Sequence, residues 1–222
     1  MERTTLKTDI HMHTGFSPDS MTGIEDFLEK CLKKGLECIA VTDHNTIDGA
    51  LALRNISPIP VIIGEEIKSS DGDIIGLFLE EAIPGGLPAL ETVERIKSQG
   101  GIVSIPHPFD HFRKLVINKE ALNQIVDYVD IIEGFNARNT LHRDNVSAQQ
   151  FAETHQILTA SVSDSHTLFE IGNTYMDIPS FENNPSDFLK NLPHAKHNTN
   201  KTTPLIHVLT TLTRNYKKLR GI

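Results

Sequence analysis

The chain has 222 residues, 38% of them hydrophobic and 23% charged, which fits one domain large enough to bury a substantial core. Its formal net charge of −8 argues against broad electrostatic binding to nucleic acid or acidic membranes, but leaves room for a local site made positive by bound metal. No apolar run approaches the roughly 20 residues of a membrane span, and Met1 to Lys7 lacks the apolar centre of a signal peptide, so a cytoplasmic location and no membrane partner are expected.

Leu6 to His13 reads as the first strand. His11 and His13 leave the same side of it, because strand side chains alternate with period two. Thr14 to Ser20 is a polar loop. Thr22-Gly23-Ile24-Glu25 has the form of a capping box, and Ile24, Phe27, Leu28, Cys31 and Leu32 form the apolar stripe of the next helix, which Gly35 stops. Cys38 to Val41 is a short buried strand running into Thr42-Asp43-His44, and Thr46 to Arg54 a short helix. Val61 to Ile67 is the third strand, and Asp71-Gly72 turns the chain so that Asp73 to Leu79 returns beside it. Asp73 reads as a solvated turn residue. Leu90, Val93 and Ile96 mark a helix, and Ile102 to Ile105 a strand ending at Pro106-His107-Pro108. Asn118 to Val126 is a helix, Val129 to Glu133 a strand, Arg143 to Thr154 a helix, Ile157 to Val162 a strand, and Tyr175 to Ile178 a last short strand.

Strands that are continuous apolar runs, alternating with helices, are the pattern of a parallel sheet covered by helices. Polar residues at nearly every strand end favour a barrel, whose carboxyl ends surround one mouth. Residues 1–193 are assigned to it. Residues 194–222 read as a polar linker and an amphipathic helix with a basic end. Leu205, Val208, Leu209 and Leu212 form the stripe of that helix, expected to pack on the barrel or to form a homo-oligomer. Cys31 and Cys38 read as core thiols.

Histidine is the outlier: eleven, against no tryptophan and three tyrosines. At or just beyond strand ends stand His11, His13, His44, His107 and His166, with Glu66, Glu133 and Asp164; Asp19 lies in the first loop. Nine nitrogen and oxygen ligands suit two or three divalent ions sharing a carboxylate, and Glu66 is the natural bridge. A set without thiolate favours Zn, Mn or Fe. Asp43 is expected to orient a ligand histidine, and Glu65 to face away from the site.

His11-x-His13, Thr42-Asp43-His44, Gly64-x-Glu66, Ile105-Pro106-His107-Pro108 and Ser163-Asp164-x-His166 resemble, in order and spacing, the motifs of the PHP family, the polymerase and histidinol phosphatase superfamily. The resemblance covers about residues 8–180. It implies a distorted (β/α)7 TIM-like barrel with a trinuclear centre. It also implies a ligand partition: His11, His13, Glu66 and Asp164 for a first ion; Glu66, His107 and Glu133 for a second; Asp19, His44 and His166 for a third. Asp19 and Glu133 replace the histidine, or histidine or cysteine, common at those places, which moves the preference toward Mn or Fe.

The reaction expected of such a centre is phosphate-ester hydrolysis by a metal-bridging hydroxide, with Glu66, Asp164 and His166 as the catalytic set. Arg138, Arg113 and His142 are candidate substrate contacts, because a guanidinium fork suits a phosphate. The expected substrate is a small phosphomonoester or nucleotide. The alternatives are a 3′–5′ exonuclease or nucleic-acid end-processing enzyme, and a non-catalytic metal-stabilised interaction module. The short link from Glu80 to Pro88 leads us to expect an open, shallow mouth.

Overall fold

A computed structural model describes residues 5–221. Met1 to Thr4, part of the stretch read against a signal peptide, and Ile222 lie outside the described residues.

The elements follow in the order β1 (Thr5–Asp9), α1 (Ile24–Lys33), β2 (Cys38–Val41), α2 (Asp48–Arg54), β3 (Val61–Ser69), β4 (Gly72–Leu77), α3 (Ala89–Ser98), β5 (Ile102–Ile105) and α4 (Lys119–Ile125). Then come β6 (Ile131–Asn136), α5 (His142–His155), β7 (Leu158–Val162), β8 (Tyr175–Pro179), α6 (Pro185–Asn191), β9 (Lys196–Asn198) and α7 (Ile206–Arg220). The strands form one sheet in the order β7-β6-β5-β4-β3-β2-β1-β8-β9. It curls until β7 meets β8 and β9: Ser161 N lies 3.4 Å from Met176 Sδ and Ser161 Oγ 2.9 Å from His197 Nδ1. The result is a nearly closed, distorted α/β barrel. The distortion comes from β4, β8 and β9, which run antiparallel to their neighbours.

Period-two alternation divides the core. Cys38 and Ala40 of β2 face the barrel interior with Ile62, Ile75, Leu77, Ile131 and Val162, whereas Ile39 and Val41 face the helices beside Phe27, Cys31 and Leu53. Phe188 and Leu192 close the end of the barrel away from the strand carboxyl ends, against Leu6, Ile102, Ile131 and Leu158. Burying such a side chain fully contributes about 1.5–3 kcal/mol. Both cysteines are buried free thiols, and burial pushes Cys38 up to about 12. Among the described residues no helix is long and apolar enough to cross a membrane.

Four local expectations change. The first strand stops at Asp9, because the Asp9 carboxylate accepts from His11 N (3.4 Å) and Ser163 N (3.2 Å) where a ladder would continue; a single bridge from Met12 to Ser165 keeps the next residues extended. The capping box does not form. Gly23 occupies the N-cap without a side-chain bond, and the Thr22 hydroxyl turns to His166 O (3.5 Å). The polar stretch after residue 194 contains β9, which pairs with β8 through Asn198 and its neighbours. Finally, of the two packings expected for α7 the one on the barrel is not met, because its apolar stripe turns outward. Leu205, Val208, Leu209 and Leu212 are exposed, while Ile206, Thr210 and Lys217 are buried, because polar anchors described below hold the other face to the barrel.

The β3–β4 turn depends on Gly72. Its φ is +132°, and a Cβ there would stand 2.3 Å from Ile117 Cα. Since backbone cannot move aside cheaply, Gly72→Ala should lower stability by at least about 1–3 kcal/mol, the usual cost of overpacking; a urea melt compared with wild type measures it. A melt unchanged within error would mean that the turn can relax.

Candidate metal centre

The strand ends bring the expected side chains to one point. His11 Nε2 lies 3.0 Å from His13 Nε2, 3.4 Å from Glu66 Oε2 and 3.5 Å from Asp164 Oδ1. His13 Nε2 lies 3.3 and 3.6 Å from the same two oxygens. Four donors about 2.1 Å from a single ion stand about 3.4 Å apart in a tetrahedron, so this set has the dimensions of an ion's coordination shell. Two backbone positions at the site are held in the left-handed region, His107 at φ 32° and Asp164 at φ 52°; non-glycine residues keep such angles only where their surroundings fix them.

Glu66 is central. It is fully buried, with Oε2 also 3.1 Å from His44 Nδ1 and Oε1 3.1 Å from His107 Nε2. Burial pushes its carboxyl up, but His44, His11 and His107 outweigh this and hold it well below the usual range. Asp19, His44 and His166 gather on the far side: Asp19 Oδ1 is 3.4 Å from His166 Nε2 and Oδ2 is 3.5 Å from His44 Nε2. His166 donates Nδ1–H to Asp164 O (2.9 Å), which leaves Nε2 as the free donor. Burial, His13 and Arg138 push His166 down to about 3, so the neutral, ligating form is favoured.

The structure divides the remaining carboxylates differently from the sequence expectation. Glu133 does not point at His107 Nε2. Its Oε1 lies 2.5 Å from His11 Nδ1, and its Oε2 accepts from His107 N (2.9 Å) and Asn136 Nδ2 (2.8 Å). It stands behind His11, where a carboxylate would fix the tautomer and orientation of a candidate ligand histidine. The place beside Glu66 and His107 is taken by Asp73. That residue is buried, not solvated, and burial together with the Glu66 charge pushes it up to about 6. Period two would have found it: Asp73 shares the inward face of β4 with Ile75 and Leu77. Glu65 faces the other way, as expected, and accepts from Ile83 N (2.8 Å). Asp43 holds Thr14, not a histidine, through Thr14 N (2.7 Å) and Oγ1 (2.6 Å). Gly49 makes room for it; a Cβ there would stand 2.0 Å from Asp43 Oδ2.

Asp19 Oδ1, Glu66 Oε2, Asp73 Oδ1, Asp164 Oδ1, His44 Nδ1 and His107 Nδ1 are buried without hydrogen-bond partners. Leaving a buried polar atom unsatisfied costs about 1–3 kcal/mol. Six of them in one cluster of nitrogen and oxygen donors fit divalent cations.

A cavity of about 770 Å³ opens over this cluster. Arg113 and Arg138 both line it. Arg113 donates to Asp164 Oδ2 and, at 3.1 Å, to Asp110 Oδ2. Arg138 is buried, donates Nη2–H to Thr210 Oγ1 (2.9 Å), and lies 3.7 Å from Glu170 Oε1. Its Nη1 reaches Asp164 O at 3.4 Å. His142 opens α5, is exposed, and lies outside the cavity lining. The mouth is not the shallow opening inferred from the short link, because α7 supplies a wall through His207, Thr210, Thr211 and Arg214.

The PHP domain pattern matches residues 9–173, the segment that holds every candidate ligand. The chain belongs to the PHP family. An uncharacterized protein of Methanocaldococcus jannaschii is 32% identical over 219 residues, 97% of this chain and 88% of that one. A second from the same organism is 38% identical over 154 residues, 64% of this chain and 86% of that one. A phosphoribosyl 1,2-cyclic phosphate 1,2-diphosphodiesterase of Eggerthella lenta is 35% identical over 98 residues, 39% of this chain and 37% of that one. Among solved structures, a two-domain Bacteroides vulgatus protein containing a predicted PHP-like metal-dependent phosphoesterase has a TM-score of 0.69 at 20% identity, over 87% of this chain and 65% of that one. A lesion-specific endonuclease of Pyrococcus furiosus has a TM-score of 0.61 at 14% identity, over 90% of this chain and 60% of that one. At such identities these two structures speak to the fold alone. As a member of the PHP family, the chain is a metal-dependent hydrolase of the phosphoesterase type.

Proposed function

We propose that the chain hydrolyses a small phosphomonoester or nucleotide at a centre of two to three divalent ions, Mn or Fe before Zn. The observation that carries this reading is the convergence of His11 Nε2, His13 Nε2, Glu66 Oε2 and Asp164 Oδ1 beneath a cavity lined by arginines. His11, His13, Glu66 and Asp164 would hold the first ion, Glu66, His107 and Asp73 the second, and Asp19, His44 and His166 the third, with Glu133 behind His11. Bound ions of this kind acidify the water they share and offset charge on phosphoryl oxygens.

The chain's own residues do the rest. Glu66, Asp164 and His166 form the reacting core, Glu66 because its two oxygens face two sides of the cluster. Arg113 and Arg138 place guanidinium charge over that core, where phosphoryl oxygens need it; His142, farther out, is assigned to the substrate's distal part. The cavity is of the size that takes metabolites and nucleotides, about 300–1,000 Å³. Residues 1–193 carry these ligands, residues 194–222 add the wall, and the outward stripe of α7 is assigned to self-association with a second copy.

Phosphate release from a panel of sugar phosphates and nucleoside monophosphates, with Mn²⁺ and with chelator, tests the reading. Release that chelation abolishes without unfolding is expected. Full metal content with no release from any ester would remove it, and would leave the metal-stabilised module. Lys68 and Lys114 on the cavity rim favour a second reading, a nucleic-acid end-processing enzyme. Cleavage of oligonucleotides alone, with binding that weakens steeply in salt, would decide for it.

A further inference from the structure

The last helix, α7, poses a question of its own. Leu205 is 73% exposed and Leu219 87%, yet Lys217, on the opposite face, is only 7% exposed. An amphipathic helix that buries lysine and exposes leucine is held by something stronger than its stripe. Lys217 Nζ donates to Gly15 O and, at 2.8 Å, to Ser17 O. One turn earlier, Arg214 Nη2 donates to Asp19 Oδ2 at 2.5 Å. Both cations therefore grip the loop that carries Asp19. Ser17 extends the grip inward, because its Oγ accepts from His44 N (3.0 Å) and lies 3.0 Å from His13 Nδ1. With Oδ2 taken by the guanidinium, Asp19 Oδ1 is left buried and unpartnered, 3.4 Å from His166 Nε2.

We propose that Arg214 and Lys217 are positioning residues that complete the third metal position, fixing Asp19 so that Oδ1 faces His166 while Oδ2, held by Arg214, stays beside His44 Nε2. The C-terminal helix is then part of the metal centre and not an appendage. This rests on the trinuclear reading above. Outer support of a ligand changes metal affinity about 10–100-fold, so the effect is large enough to separate from noise.

The test is Mn²⁺ titration of the full chain, read as bound ions per protein and as their separate dissociation constants. In Arg214→Ala the third constant should weaken tenfold or more while the first two stay within twofold. Arg214→Lys should restore part of the loss, and Lys217→Met should reproduce it. Should Lys217→Met fail to fold, Arg214→Ala still decides, because the Arg214 side chain is 58% exposed and its loss leaves no buried void. A purely structural role would lower the melting temperature and leave the third constant alone. Three ions bound by Arg214→Ala with wild-type affinity, or more tightly, would overturn the proposal and leave the trinuclear reading standing. A wild-type protein that never binds a third ion would overturn both.

Discussion

Glu66→Gln should strip the centre of metal at more than one position. Four imidazoles, those of His11, His13, His44 and His107, stand within 3.4 Å of its two oxygens, against three around the Asp164 carboxylate. Glutamine keeps the volume, removes the negative charge and replaces one acceptor with an N–H donor pointed at ligand nitrogens. The loss exceeds that of an outer-shell change, about 10–100-fold in affinity, and affects both ions that share the carboxylate. Elemental analysis after gel filtration reads it directly, and phosphate release should fall with it. Glu65→Gln is the matched control, since Glu65 bonds Ile83 N on the other face of β3 and should keep its metals. Full metal content in Glu66→Gln, or loss confined to Glu65→Gln, would reverse the assignment of the bridge.

What the sequence made legible was the part governed by local pattern. Continuous apolar runs located β2, β3, β5, β6 and β7, and the polar residues at their ends located His44, Glu66, His107 and Asp164. Side-chain period two separated Glu65 from Glu66 and paired His11 with His13. Contacts between distant segments were not legible. Glu133 and Asp73 both depart from their expected roles: Asn136 Nδ2 and His107 N hold the Glu133 carboxylate toward His11, and Asp73 takes the place beside Glu66 and His107. Asp73 looked like a turn residue because it follows Asp71-Gly72, yet Leu115 O accepts from its backbone N (2.8 Å) and the neighbouring chain buries it. For α7 the stripe left the barrel and a second copy open as packing partners, and it does not face the barrel, since the Arg214–Asp19 ion pair, the bonds of Lys217 to Gly15 O and Ser17 O, and the Arg138–Thr210 bond dictate its rotation. β9 carries no apolar signal at all; Lys196-His197-Asn198 is an edge strand, and charged edges are how sheets avoid further pairing.

Removing the metals should destabilise the fold, and the size of the effect should grow with pH. Asp19, Glu66, Asp73, Glu133 and Asp164 are each at most 5% exposed, so the folded chain concentrates carboxylates that only cations can offset. Without metal, protons on His11 and His44 take that part, since burial keeps His13 and His166 neutral. Burial pulls His11 down, but Glu133, Asp164 and Glu66 outweigh it and hold its pKa well above the usual value. Stability from a histidine of that kind is fully present below its unfolded pKa and is lost as pH rises through the folded one. Asp73, raised to about 6, acts in the same direction, since its ionisation on raising the pH is opposed in the folded state. Glu66 and Asp164, held low, contribute stability that is lost only in acid. The chelated protein should therefore be most stable at mildly acidic pH and weaken toward pH 8. With metal present the sign reverses, because ligand histidines must shed protons to bind. An ion at 1,000 times its Kd adds about 4 kcal/mol, and in a chain of this length 1 kcal/mol moves the melting temperature by about 2–4 °C. The gap between Mn²⁺-loaded and chelated protein should then be roughly 8–16 °C per tightly bound ion at pH 8, and smaller at pH 6. Melting curves at the two pH values, with Mn²⁺ and with chelator, measure it; a gap that closes as pH rises would mean that the buried cluster is balanced without metal.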